Sequence, residues 1–63
     1  MKKQMDLDEE SGRATELLKG KVVARVVRHR AEEVCVEFGD GTRLYVDRSD
    51  DGVELSVEGG NEE

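Results

Sequence analysis

From Glu33 onward the chain alternates, and this alternation constrains what it can fold into more than any other feature. Val34, Val36 and Phe38 alternate with Glu33, Cys35 and Glu37; Leu44 and Val46 with Arg43, Tyr45 and Asp47; and Val53, Leu55 and Val57 with Glu54, Ser56 and Glu58. A period of two puts one set of side chains toward a core and the other toward water, so three half-buried strands are expected. The turn between the first two can be argued from register. A two-residue Asp40-Gly41 turn would set Val36 beside Tyr45 and Phe38 beside Arg43, mixing apolar and polar residues on one face. A three-residue loop, Gly39-Asp40-Gly41, pairs Val36 with Leu44 and Val34 with Val46, and the faces agree. Gly41 then takes the positive φ of a type I turn with a bulge. The same register sets Glu37 opposite Arg43 and Cys35 opposite Tyr45. Arg48 to Gly52 reads as a second turn.

Before Gly20 the period is helical. Ala14, Leu17 and Leu18 share a stripe, Ser11 or Asp8 is a candidate N-cap, and Gly20 is placed to end the helix. A short helix over about residues 9–19 is predicted. Lys21 to Arg28 is rich in Val and favours a strand, but Val22-Val23 and Val26-Val27 put apolar groups on both faces. The expected fold class is α+β: a short N-terminal helix packed on one face of a four-stranded antiparallel β-meander. The expected core runs from Ala14, Leu17 and Leu18 through Val22, Ala24, Val26, Val34, Val36 and Phe38 to Leu44, Val46, Val53, Leu55 and Val57. Residues 1–63 form one small domain, with polar ends at about 1–6 and 59–63 that should fray.

A chain of 63 residues that is 35% apolar, with one Phe, one Tyr and no Trp, has little to bury. Domains of this size rarely hold both a core and a buried active site, so enzyme activity is not expected. Cys35 is the single cysteine, which excludes an internal disulfide and a cysteine metal cluster and favours a reducing cytoplasm. Lys2 and Lys3 lead into acids rather than an apolar run, so neither a signal peptide nor a membrane span is expected. His29 stands alone in a basic loop, and no serine or threonine has a companion base. No cofactor is expected.

The net charge of −6 hides a segregation. Residues 17–31 hold Lys19, Lys21, Arg25, Arg28 and Arg30 with no acid, a charge of +5, while residues 32–63 carry −9. Such blocks on so short a chain suggest pairing across strands before any external partner.

Three functional readings follow. On the second face of the sheet, Val23, Val27, Cys35 and Tyr45 form an apolar group beside Arg25, Glu37 and Arg43. That composition resembles an interface core with a charged rim, and it points to a homodimer or a docked protein partner. The alternative is a nucleic-acid contact along Lys21, Arg25, Arg28 and Arg30, against which the acidic half weighs. A minor alternative is calcium: Asp47, Ser49, Asp51, Gly52 and Glu58 fall at positions 1, 3, 5, 6 and 12 of the EF-hand loop. Strand alternation on either side opposes it, because an extended Gly52–Glu58 segment would carry Glu58 roughly 20 Å away. The expected function is therefore a small cytoplasmic interaction module, self-associating or docking a protein through the second face of its sheet.

Overall fold

The computed structural model describes residues 7–59. Within them lie α1 (Leu7–Leu18), β1 (Val23–Val27), β2 (Glu33–Phe38), β3 (Arg43–Ser49) and β4 (Gly52–Glu58). The strands form one antiparallel sheet in the order β1-β2-β3-β4, a meander in an α+β fold. The ends expected to fray, apart from Gly59, lie outside the described residues.

The central hairpin has the register that face agreement demands. Val34 pairs with Val46, Cys35 with Tyr45, Val36 with Leu44 and Glu37 with Arg43. The Phe38 amide donates to the Thr42 carbonyl at 2.9 Å and the Gly41 amide to the Phe38 carbonyl at 3.0 Å, closing the three-residue loop. Gly41 sits at φ 92°, where a Cβ would be strained. The last hairpin turns through Asp50-Asp51 with Ser49 opposite Gly52.

The first hairpin resolves the Val doublets with a β-bulge. Val23 pairs with Phe38 and Arg25 with Glu37, so Ala24 is an extra residue and the alternation resets by one. Val23 and Val26 thereby share a face although three positions apart, and only Val27 remains on the other. The 28–32 loop is held by Arg28, whose Nε donates to the Glu33 carbonyl at 2.8 Å and whose Nη2 donates to the Ala31 carbonyl at 2.6 Å.

The helix starts earlier than predicted. Asp8 and Ser11 lie inside it, and the hydroxyls of Ser11 and Thr15 bond back to the carbonyls of Asp8 and Ser11 at 3.2 and 2.8 Å instead of capping. Its end matches expectation: Gly20 has φ 82°, and the Lys21 amide reaches the Leu18 carbonyl at 3.1 Å.

The larger departure is where the helix lies. α1 meets the sheet at β4, with Glu10, Arg13, Ala14 and Leu17 around Leu55 and Val57. A helix is about 10 Å wide, and four strands at ~4.8 Å spacing need roughly twice that. The rest of the face stays bare. Of the expected core only Phe38 is buried; Leu17, Val22, Val26 and Val53 are all more than half exposed, and Ala24 is exposed as the bulge residue. Cys35, at 1% exposure, is the other buried apolar residue among those described.

Candidate interaction surface

Directly opposed residues in antiparallel strands point to the same side, so the pairings sort the side chains into two faces. One carries Val23, Val26, Val34, Val36, Phe38, Leu44, Val46, Val53, Leu55 and Val57, with Arg48 as its one charged strand residue. The other is built of rungs crossing the strands. Arg25, Glu37, Arg43 and Glu58 form one, alternating in charge; Val27, Cys35, Tyr45 and Ser56 form the next; Glu33, Asp47 and Glu54 form a third.

The residues expected to make an interface are divided by this geometry. Val27, Cys35, Tyr45, Arg25, Glu37 and Arg43 share the runged face, but the bulge moves Val23 to the opposite one. Cys35 is buried and offers no contact surface. The charged neighbours are tied to one another: the Glu37 carboxylate takes Arg25 Nε at 2.7 Å on one oxygen and Arg43 Nε at 3.4 Å on the other. The Arg25 hydrogen bond leads in holding the Glu37 pKa below the ordinary carboxylate range. Tyr45 is half-buried, and burial first of all raises its phenol. The charges of this face pair with one another, and the large exposed valines of the strands lie on the other face.

That surface runs over β1 and the sheet centre, away from α1. Val26 is 60% exposed and Val53 62%. Val34, Val46 and Val53 floor a depression rimmed by Glu32, Arg48 and Asp50. The alternation pattern by itself puts Val26 and Val53 in the core. The signal that exposes them is dimensional: one short helix cannot roof four strands.

The basic segment is engaged internally. Lys19 reaches Glu16 at 3.2 Å, Lys21 reaches Asp40 at 2.6 Å, and Arg30 lies 3.5 Å from Glu33 and 3.9 Å from Asp47. With Arg25 on Glu37 and Arg28 on loop carbonyls, every cation of the +5 segment has a partner inside the chain.

The calcium residues are strung along the last hairpin. Asp47 pairs with Glu54, Asp51 sits in the turn, the Ser49 hydroxyl turns to the Gly52 carbonyl, and Glu58 lies opposite Arg43 at the far end. Among the described residues no group of three or more His, Cys, Asp or Glu is placed to hold a metal ion. No described helix is long and apolar enough to cross a membrane. Compared with known protein families, with characterised proteins and with solved structures, the chain matches none.

Proposed function

We infer that this chain is a small interaction module that self-associates by burying the bare half of its apolar sheet face against the same face of a second copy. The observation that carries the reading is the exposure of Val23, Val26 and Val53 on a chain whose buried apolar residues, among those described, are Cys35 and Phe38 alone. Charge selects the occupant. On a chain of net charge −6 this face holds Arg48 as its one charged strand residue, and a second copy presents an equally apolar set of strand side chains. A two-fold pair of stacked sheets is the simplest closed arrangement.

The contact is small. Strands of about 20 Å, four abreast over roughly 15–19 Å, make a face of about 300–380 Å², below the size of standard interfaces, so weak association, in the micromolar-to-millimolar range, is expected. Sedimentation equilibrium across that range tests it. The native chain should pass from monomer to dimer, and the Val26→Asp/Val53→Asp double variant should stay monomeric with its circular dichroism intact. A native chain that remains monomeric at millimolar concentration overturns the reading.

A further inference from the structure

The two edges of this sheet fit one another. The Phe38 amide bonds to Thr42, so even-numbered residues of β2 and β3 bond each other, and odd-numbered ones turn to the outer strands. By the same alternation Val26 of β1 and Val53, Leu55 and Val57 of β4 point their amides and carbonyls away from the sheet. All four carry side chains on the apolar face. The strands alternate in direction, so β4 of a second copy, shifted without turning over, runs antiparallel to β1 and keeps the faces aligned.

One register matches the outward-facing backbone groups and the alternating charges together. Placing Val57 of a second copy opposite Val26 sets its Glu58 opposite Arg25, its Ser56 opposite Val27 and its Leu55 opposite Arg28. The rung Arg25, Glu37, Arg43, Glu58 begins with a cation and ends with an anion, so it continues from copy to copy without meeting like charge. Head-to-tail pairing of this kind does not close, and it builds a growing sheet.

The Leu55 amide, which that register requires, is already taken. It donates to Glu10 Oε2 of α1 at 3.4 Å, the contact that ties residues 45 positions apart. We propose that Glu10, carried by α1, guards the β4 edge and prevents the β1 edge of a second copy from pairing with it. The guard is independent of face-to-face association, which gives a discrete dimer, whereas edge pairing is open-ended.

Two measurements test it. In the native chain, amide exchange at Leu55 should be slower than at the other outward-facing β4 amides, Val53 and Val57, by about threefold to tenfold, as a modest hydrogen bond supplies. Equal rates would remove the guard. In the Glu10→Ala/Ala14→Asp variant, which withdraws the acceptor and undocks α1, light scattering should rise with time and concentration as assemblies elongate. Glu10→Gln, which keeps an acceptor, should not elongate. Adding Glu58→Lys to the elongating variant puts a second cation opposite Arg25 and should stop growth; growth that persists overturns the register. A folded double variant of native size overturns the proposal, and if that variant does not fold, the exchange rates decide.

Discussion

Lys21 Nζ sits 2.6 Å from Asp40 Oδ2, fastening the segment that leaves α1 to the tip of the β2–β3 turn. The other Asp40 oxygen accepts the Thr42 amide at 2.9 Å, so one carboxylate organises both the turn and the entry to β1. The Gly39 amide reinforces the junction by donating to the Val22 carbonyl at 2.8 Å.

This clasp makes stability depend on pH. Lys21 first, and then Thr42, hold the Asp40 carboxyl far below its ordinary value of 3.8. A group that is more acidic folded than unfolded contributes fully above its unfolded pKa, and the contribution drains away as pH falls through and below that value. The thermal midpoint should fall between roughly pH 5 and pH 2, a window that opens just above the unfolded carboxylate values and extends below them. In Asp40→Asn the midpoint should be lower at neutral pH and should fall less on acidification. An unchanged pH profile in that variant would remove Asp40 from the acid response.

Gly41 should resist substitution. At φ 92° an L-residue is strained, and Gly41→Ala is expected to cost about 1–2 kcal/mol in urea unfolding. D-alanine at the same position, accessible by chemical synthesis of so short a chain, should restore most of the loss. If L- and D-alanine cost the same, backbone conformation is not the cause.

Phe38 and Val26 share a face and should respond differently. Phe38→Ala empties the one buried aromatic site and should cost about 3–5 kcal/mol at any protein concentration. Val26→Ala, at a residue 60% exposed, should cost well under 1 kcal/mol in dilute protein, because little area leaves water there. Its cost should rise with protein concentration as the face becomes occupied. Thermal melts over a hundredfold concentration range separate the two.

Cys35 should be silent to thiol reagents until the sheet opens. At 1% exposure its labelling rate should track unfolding rather than reagent concentration. Cys35→Ser places a hydroxyl in the same buried site and should cost about 1–3 kcal/mol. Fast labelling of the native chain would contradict the packing of the runged face.

What could be read before the structure was the part governed by local periodicity. Val34, Val36, Phe38, Leu44 and Val46 fix both strands of the central hairpin, and Gly39 and Gly41 fix the loop length, so the register follows from the requirement that faces agree. The bulge at Ala24 was legible only as an anomaly, the doubled valines of β1. Its resolution depends on which pairing partner each valine meets, and that is tertiary information. The placement of α1 was hidden for a similar reason: Ala14, Leu17 and Leu18 say that a stripe is apolar, not which strand it meets. Both points bear on which face carries the exposed valines. With Val23 moved and α1 confined to β4, the apolar exposure changes sides.

The helix that is synthesised first is satisfied last. Each strand pairs with its neighbour in sequence, so the sheet can assemble as the chain emerges, one hairpin after another. Glu10 finds Leu55 only once β4 is in place. Until β4 is made, the stripe of α1 that carries Ala14 has no strand to pack against.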